Sequence, residues 1–340
     1  MSGTDDRGPR RMSASGFFVA VSLLLAVSIP IALSLGSVSI GLDEVTRALI
    51  AGSDSPSSTI IRELRLPRIL LAILVGGALA TAGTTLQSVM KSPLADPYIL
   101  GISSGAGVGA ALATAMSLGR LTGASLAFVT GLGSAFAVLA LSRVGGRIAP
   151  LRLLLAGIAW SSLASSVTAF VLFLAPRAEE VRAVFFYLLG GLAAASWTDV
   201  GLAAVASLAG LLVAWSTWRW QNLLAFGDEP AQSLGVDPAR ARITLVVAAS
   251  LVTGVIVSVV GAIGFVGLVV PHVVRAFVGP DHRRTIPLGF LAGGLLIVWM
   301  DTLARTLLAP RELPVGVLTG LLGAPFFLSL LARGRIGGSS

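Results

Sequence analysis

The chain has 340 residues, of which 55% are hydrophobic and only 12% charged, with a mean hydropathy of +0.91. A soluble domain carries about 25% charged residues, so these numbers exclude an ordinary soluble enzyme and predict an all-α polytopic membrane protein. The absence of cysteine excludes disulfides, thiolate nucleophiles and thiolate metal sites, two histidines leave a bare metal ion few ligands, and the +8 net charge reads as membrane topology, not nucleic-acid binding.

Residues 1–15 hold Arg7, Arg10 and Arg11 and read as a cytoplasmic tail. The apolar run 16–36 is longer than the roughly 7–15 residues of a secretory core, so it predicts a retained first span. Residues 39–50 predict a short amphipathic helix outside the membrane, and 52–58 a loop. A second span is expected from Pro67 through LLAILVGGALATAGTTLQ, broken by KSPLADP at 91–97. The third is glycine-rich, at 99–118. The fourth, 121–141, ends at Arg143, Gly145, Gly146 and Arg147, and the fifth is 153–174. Residues 183–195 predict a short helix that does not fully cross. Spans six and seven are 200–215 and 243–260. Residues 261–267 carry three glycines and read as a bend, followed by a short eighth helix at 268–278 interrupted at Pro271. The ninth and tenth spans are 286–308 and 315–331, and 334–340 is a polar tail. The transmembrane permease body is thus 16–333.

Ten crossings put both ends on one side of the membrane. With the N-terminus inside, Arg7, Arg10, Arg11, Lys91, Arg143, Arg147, Arg152, Arg219, Arg240, Arg242, Arg275, Arg283, Arg284, Arg333 and Arg335 fall inside, a bias that supports cytoplasmic termini. The other nine, Arg47, Arg62, Arg65, Arg68, Arg120, Arg177, Arg182, Arg305 and Arg311, fall outside, with Arg62, Arg65, Arg68 and Arg305 close to span ends.

Between spans six and seven lies a polar island, LLAFGDEPAQSLGVDPARAR, at 223–242. Asp228 can cap a short helix with Glu229 and Pro230 in its first turn. Gly235 can end it in a left-handed conformation. Asp237 then caps again ahead of Pro238. Such a stiff knuckle on the inner face is suited to gripping another protein. The chain cannot be an ATPase: a phosphate-binding loop needs Gly-Lys followed by Ser or Thr, and the only lysine, Lys91, follows Met90. His272 on an apolar helix reads as a packed side chain, and His282, in DHRR, as a solvated one.

The stretches LRLPRILLAILVGGALATAGTTLQ, SPLADPYILGISSGAG, LLLAG, GDEPAQSLGV, GAIGFVGLVVPHVVR with GPDHR, DTLAR and ELPVGVLTGLLGAPFF come in this order between Arg62 and Leu331. In that combination the chain resembles FecCD-type permeases, the membrane subunits of importers for iron–siderophore, haem and cobalamin that carry an ATP-binding cassette. The resemblance implies a homodimer of ten-helix subunits in the bacterial cytoplasmic (inner) membrane. It also implies a cytoplasmic ATPase dimer below, a periplasmic or lipid-anchored substrate-binding protein above, and no cofactor. The knuckle is similar to the family's coupling helices, which gives Gly227, Asp228, Glu229, Gln232, Leu234 and Gly235 the role of meeting the ATPase. Arg65, Arg68 and Arg305 match arginines that face acidic groups of the binding protein in cobalamin-importing members. Arg305 also lies four residues after Asp301, a spacing that allows a pair within one helix. The cytoplasmic gate implied by the family falls on Ser92, Pro93 and Leu94, with Ser92 where an asparagine is common. Its second part falls on Pro150 and Leu151, where cobalamin-importing members carry small hydroxyl residues.

The cargo order expected from this is iron–siderophore, then haem, then cobalamin. The competing class is an ion-coupled secondary transporter, which needs intramembrane acids. Asp301, with Arg305 as its neighbour, is the one acid the sequence puts well within a span.

Overall fold

A computed structural model describes residues 13–36, 38–50, 55–144, 147–148, 150–175 and 177–332. The arginines of both tails (Arg7, Arg10, Arg11, Arg333 and Arg335), residues 52–54 of the 52–58 loop, and Gly145 and Gly146 lie outside the described residues. Apart from an antiparallel pairing of Arg143–Val144 with Arg147–Ile148, the regular structure is helical. Among the described residues, seven helices are long and apolar enough to cross a membrane, and three shorter apolar ones accompany them. The ten expected spans therefore exist, three of them shorter than full crossings.

Helix α1 (Ala14–Ser34) starts at Ser13, whose side chain accepts the Gly16 N–H at 3.0 Å. It buries Phe17, Val21, Leu25, Ser28 and Ala32 and leaves Leu23, Leu24 and Val27 exposed, the pattern of a peripheral span with one face to lipid. Amphipathic α2 (Leu42–Ile50) follows.

The second span starts earlier than the sequence predicts. Helix α3 (Pro56–Thr59), a π-helical stretch (Ile60–Arg65) and α4 (Leu66–Met90) form one 35-residue rod, Pro56–Met90. Pro67, the expected start, sits inside it. The widened turn just before, in which the Leu66 N–H reaches the Ile61 carbonyl, absorbs the proline. Helix α4 is the axis of the molecule, with every residue from Val75 to Val89 buried. Small residues permit this. A Cβ on Gly76 would lie 2.0 Å from the Gly293 carbonyl oxygen, and one on Gly83 2.0 Å from that of Gly267.

After Lys91 (φ 50) the chain makes a 3-10 turn (Pro97–Leu100) and enters α5 (Ile102–Ala115). Its 14 residues span about 21 Å, short of a bilayer core of about 30 Å. The expected third span was longer because it included the turn. Helices α6 (Arg120–Leu141), α7 (Pro150–Phe173), α8 (Ala178–Leu189) and α9 (Trp197–Ser216) come next. Helix α9 opens with a capping box between Ser196 and Asp199. Leu154, Leu155, Ile158, Leu163 and Phe170 of α7 are exposed, so most of its surface needs lipid or another apolar partner.

The polar island forms α10 (Trp218–Phe226), α11 (Asp228–Ser233) and the first turn of α12 (Pro238–Val260). Helices α13 (Val266–Val278), α14 (His282–Thr306) and α15 (Val315–Ala332) complete the chain. Pro271 does not interrupt α13. The carbonyl that a residue at 271 would normally engage, that of Gly267, accepts the Gln87 Nε2–H at 3.0 Å instead.

Candidate functional site

The inner-face elbow is built by two glycines and a cap. Gly227 (φ 134) breaks the chain between α10 and α11, and Gly235 (φ 80) ends α11 in the left-handed region. The Gly235 N–H donates to the Gln232 carbonyl and the Val236 N–H to that of Ala231, which closes the helix end. Asp237 caps α12, accepting from the Ala239 N–H at 3.0 Å and the Arg240 N–H at 3.3 Å. Leu224 and Ala231 are fully buried and pack with Leu86, Val89 and Leu153, so the elbow is anchored in the transmembrane core. Its outer surface is Glu229, Gln232 and Gly235, with two large apolar side chains, Phe226 (80% exposed) and Leu234 (66%). Apolar groups presented on a stiff polar knuckle form a surface that lacks a partner within the chain.

Asp228 departs from its expected role. Gly227 occupies the cap position, and Asp228 is the first residue of α11. Its carboxylate accepts from Lys91 Nζ at 3.1 Å and from Arg242 at 2.7 and 3.2 Å. Partial burial alone would raise its pKa, but the Lys91 hydrogen bond and the Arg242 charge outweigh that and hold it below the ordinary carboxylate value. Asp228 is therefore a staple from the elbow to the end of α4 and to α12, not a free charge.

That staple lands next to Ser92, Pro93 and Leu94. Ser92 Oγ accepts the Leu94 N–H at 3.3 Å and the Ser92 carbonyl accepts the Ala95 N–H, giving a tight turn with Pro93 exposed. A cavity of about 460 Å3 adjoins it, lined by Lys91, Ser92, Pro93, Asn222, Arg275 and His282, among others. Pro150 and Leu151 open α7, and Leu151 is 70% exposed.

His282 is not solvated, as the sequence led us to expect. It is 5% exposed, and its Nδ1 lies 2.7 Å from Asn222 Oδ1, which also accepts the His282 N–H. Asn222 Nδ2 donates to Asp281. This ties α10 to the start of α14, a second anchor for the elbow. His272 packs edge-on against the Phe326 ring, with centroids 5.8 Å apart. Among the described residues no cluster of His, Asp and Glu could hold a metal.

At the opposite end, Arg65, Arg68 and Arg305 are 7%, 8% and 4% exposed. All three side chains are engaged within the chain. Arg65 donates to the carbonyls of Leu33, Ser34 and Val38, the unpaired end of α1 and the loop beyond it. Arg68 Nε donates to both Asp301 oxygens at 2.9 and 3.0 Å, and its Nη1 to Glu312 at 2.8 Å. Arg305 lies 3.2 Å from Asp301 through Nε and donates to the Ala32 carbonyl at 3.1 Å. The i,i+4 pair of Asp301 and Arg305 was legible from spacing. Its sharing with Arg68, 233 residues away, and the part of Glu312 were not.

Residues 24–333 match the model of the FecCD transport family. The chain is 42% identical over 281 residues to a cobalamin import system permease of Halobacterium salinarum, covering 82% of this chain and 75% of the relative. It is 42% identical over 279 residues to a hemin transport system permease of Yersinia pestis, covering 80% and 83%. It also superposes on a solved structure described as an inward-facing conformation of a putative metal-chelate type ABC transporter. That match has a TM-score of 0.82 and 28% identity, over 94% of this chain and all of the other.

Proposed function

Since the chain belongs to the FecCD transport family and is a multi-pass permease subunit of a metal-chelate or vitamin type ABC importer, we propose that its cargo is chelated iron. An iron–siderophore comes first, haem second and cobalamin third. It works as a homodimer in the bacterial cytoplasmic membrane with both termini inside. An ATPase dimer sits against the elbow, and a periplasmic or lipid-anchored binding protein sits on the outer end. Arg65, Arg68 and Arg305 lie at the outer end that receives this partner, with their charges paired within the chain. Ser92, Pro93, Leu94, Pro150 and Leu151 close the path on the inside.

The observation that carries this reading is the elbow's outward face, Phe226, Glu229, Gln232 and Leu234, held rigidly from behind by Asp228 and Asn222. Buried core and exposed apolar tips on one short element are what a surface needs to transmit force from a separate engine. Asp301, the acid an ion-coupled carrier would use, is instead engaged by two arginines.

Co-expression with the cognate ATPase is expected to yield a co-purifying complex whose recovery drops at least tenfold with Glu229→Arg. Unchanged recovery removes Glu229 from the contact. Uptake is expected to stop with vanadate and to continue with an uncoupler while ATP is maintained. The opposite pattern establishes an ion-coupled carrier.

A further inference from the structure

A groove of about 580 Å3 runs between the 3-10 turn, α5, α7 and the loop after α12. Its polar lining is Asp96, Tyr98, Ser103, Ser104, Ser161 and Ser165, and among the described residues no lysine, arginine or histidine takes part. Ser161 is the twelfth of the 24 residues of α7, so the groove opens at mid-membrane depth, where polar groups are costly to leave against lipid.

The serines of α7 fall into two kinds. Ser162 and Ser166 donate back to the carbonyls of Ile158 and Ser162, each at 3.0 Å, the arrangement that lets a hydroxyl face hydrocarbon. Ser165 is exposed in the groove and makes no bond within the described chain, and Ser103 on the opposite wall makes none either. Ser104 and Ser161 meet across the groove at 3.2 Å. Unbonded hydroxyls at this depth need water or a polar passenger. Asp96 Oδ1 accepts the Tyr98 N–H at 2.9 Å, and among the described residues the carboxylate is the one acidic group on the wall.

We propose that this groove forms part of the wall of the cargo path and that its lining selects a chelate without net negative charge, rich in hydrogen-bonding groups, such as a neutral or cationic ferric trihydroxamate. A polyanionic chelate would meet a carboxylate and find no cation in return. The proposal rests on the importer reading and narrows its cargo.

Because the native chain contains no cysteine, Ser165→Cys and Ser103→Cys in the full-length protein in lipid nanodiscs each give a single thiol. Labelling rates with a cationic and an anionic methanethiosulfonate are measured, each normalised to a free thiol, with Ser162→Cys, outside the groove and bonded back to its own helix, as the control. Both groove thiols are expected to react from water and the control not. The cationic reagent should be favoured about sixfold, the preference of one unit charge across about 8 Å of water, the edge of a cube of the groove's volume. Asp96→Asn, which keeps the cap on Tyr98, should remove that preference. Should that variant fail to fold, the ratio at Ser103→Cys with Asp96 intact still decides. A neutral ferric trihydroxamate should protect the thiols, and a trianionic ferric tricatecholate should not. Labelling only by a lipid-soluble maleimide, equal rates for the two charges, or protection by the anionic chelate alone each overturns the proposal. None of these readings uses ATP or transport, so they stand apart from failure of the importer reading, which the Glu229 and vanadate experiments detect.

Discussion

Replacing Asp301 by Asn tests how the outer end is held together. Asp301 is 1% exposed and touches two guanidiniums, Arg68 at 2.9 Å and Arg305 at 3.2 Å, whose side chains are 9% and 4% exposed. Losing its charge leaves Arg68 with only the half-buried Glu312 and Arg305 with backbone carbonyls. Removing one partner from a buried ion pair costs about 3–5 kcal/mol, because the remaining charge is uncompensated. For a chain of this size that is a fall in melting temperature of about 4–7 °C. Intrinsic-fluorescence melting in nanodiscs reads it directly. Replacing all three charges together, Arg68→Met, Asp301→Leu and Arg305→Met, is expected to recover most of the loss, since an apolar set of similar volume can substitute for a buried network. If Asp301→Asn costs less than about 1 kcal/mol, the cluster behaves as a surface pair. The arginines would then be available to a docking partner, and the internal role argued for them would be wrong.

Gly83→Ala is expected to lower stability by about 1–3 kcal/mol, because its Cβ would sit 2.0 Å from the Gly267 carbonyl oxygen, whereas Gly264→Ala, with open space around it, should be neutral in the same melt. Gln87→Leu removes the donor that satisfies the Gly267 carbonyl and the acceptor of Arg275, and should cost about 2–3 kcal/mol. A neutral result would mean that water replaces the amide beside Pro271. Asp228→Asn should cost about 0.2–1 kcal/mol, since the carboxylate is 38% exposed, yet increase protease cleavage within 223–237. Its folded pKa is depressed, so the staple's contribution is complete above the unfolded value of about 3.9 and fades as pH falls through the lower folded value. Cleavage should therefore be flat from pH 8 to 5, and a rise across that range would show another group in control.

The elbow was legible because its signals are local: Gly235, the Asp237 cap and Pro238 act within a few residues of where they stand, although the cap of α11 falls on Gly227, one residue before the expected Asp228. The long spans were legible for the same reason, since apolar length is a property of one segment. What the sequence hid depends on distant groups. Pro67 and Pro271 read as breaks until a π turn and the side chain of Gln87 remove the penalty. The internal partners of the outward arginines, Asp301 beside Arg305 excepted, were hidden because they come from α1, α14 and the segment after it. His282 read as solvated because nothing near it in sequence announces Asn222, 60 residues away.

These long-range ties bear on how the inner face can work. The elbow touches the rest of the chain through Asp228 to Lys91 and Arg242, and through Asn222 to Asp281 and His282. Lys91 ends the axial helix α4 and begins the Ser92–Pro93–Leu94 turn, while His282 begins α14, the helix packed against α4 through Gly76 and Gly293. Both anchors thus reach the same pair of helices, at their inner ends. Close glycine packing makes that pair stiff along its length, so a displacement of the elbow has few soft places in which to dissipate. The turn at Lys91 lies outside that packed pair and borders the inner cavity. Work delivered at Glu229 and Leu234 is therefore expected to appear as movement of the Ser92–Leu94 turn, not as bending of α4. A spin-label pair reporting on that turn should shift when an ATPase binds, and a pair along α4 should not.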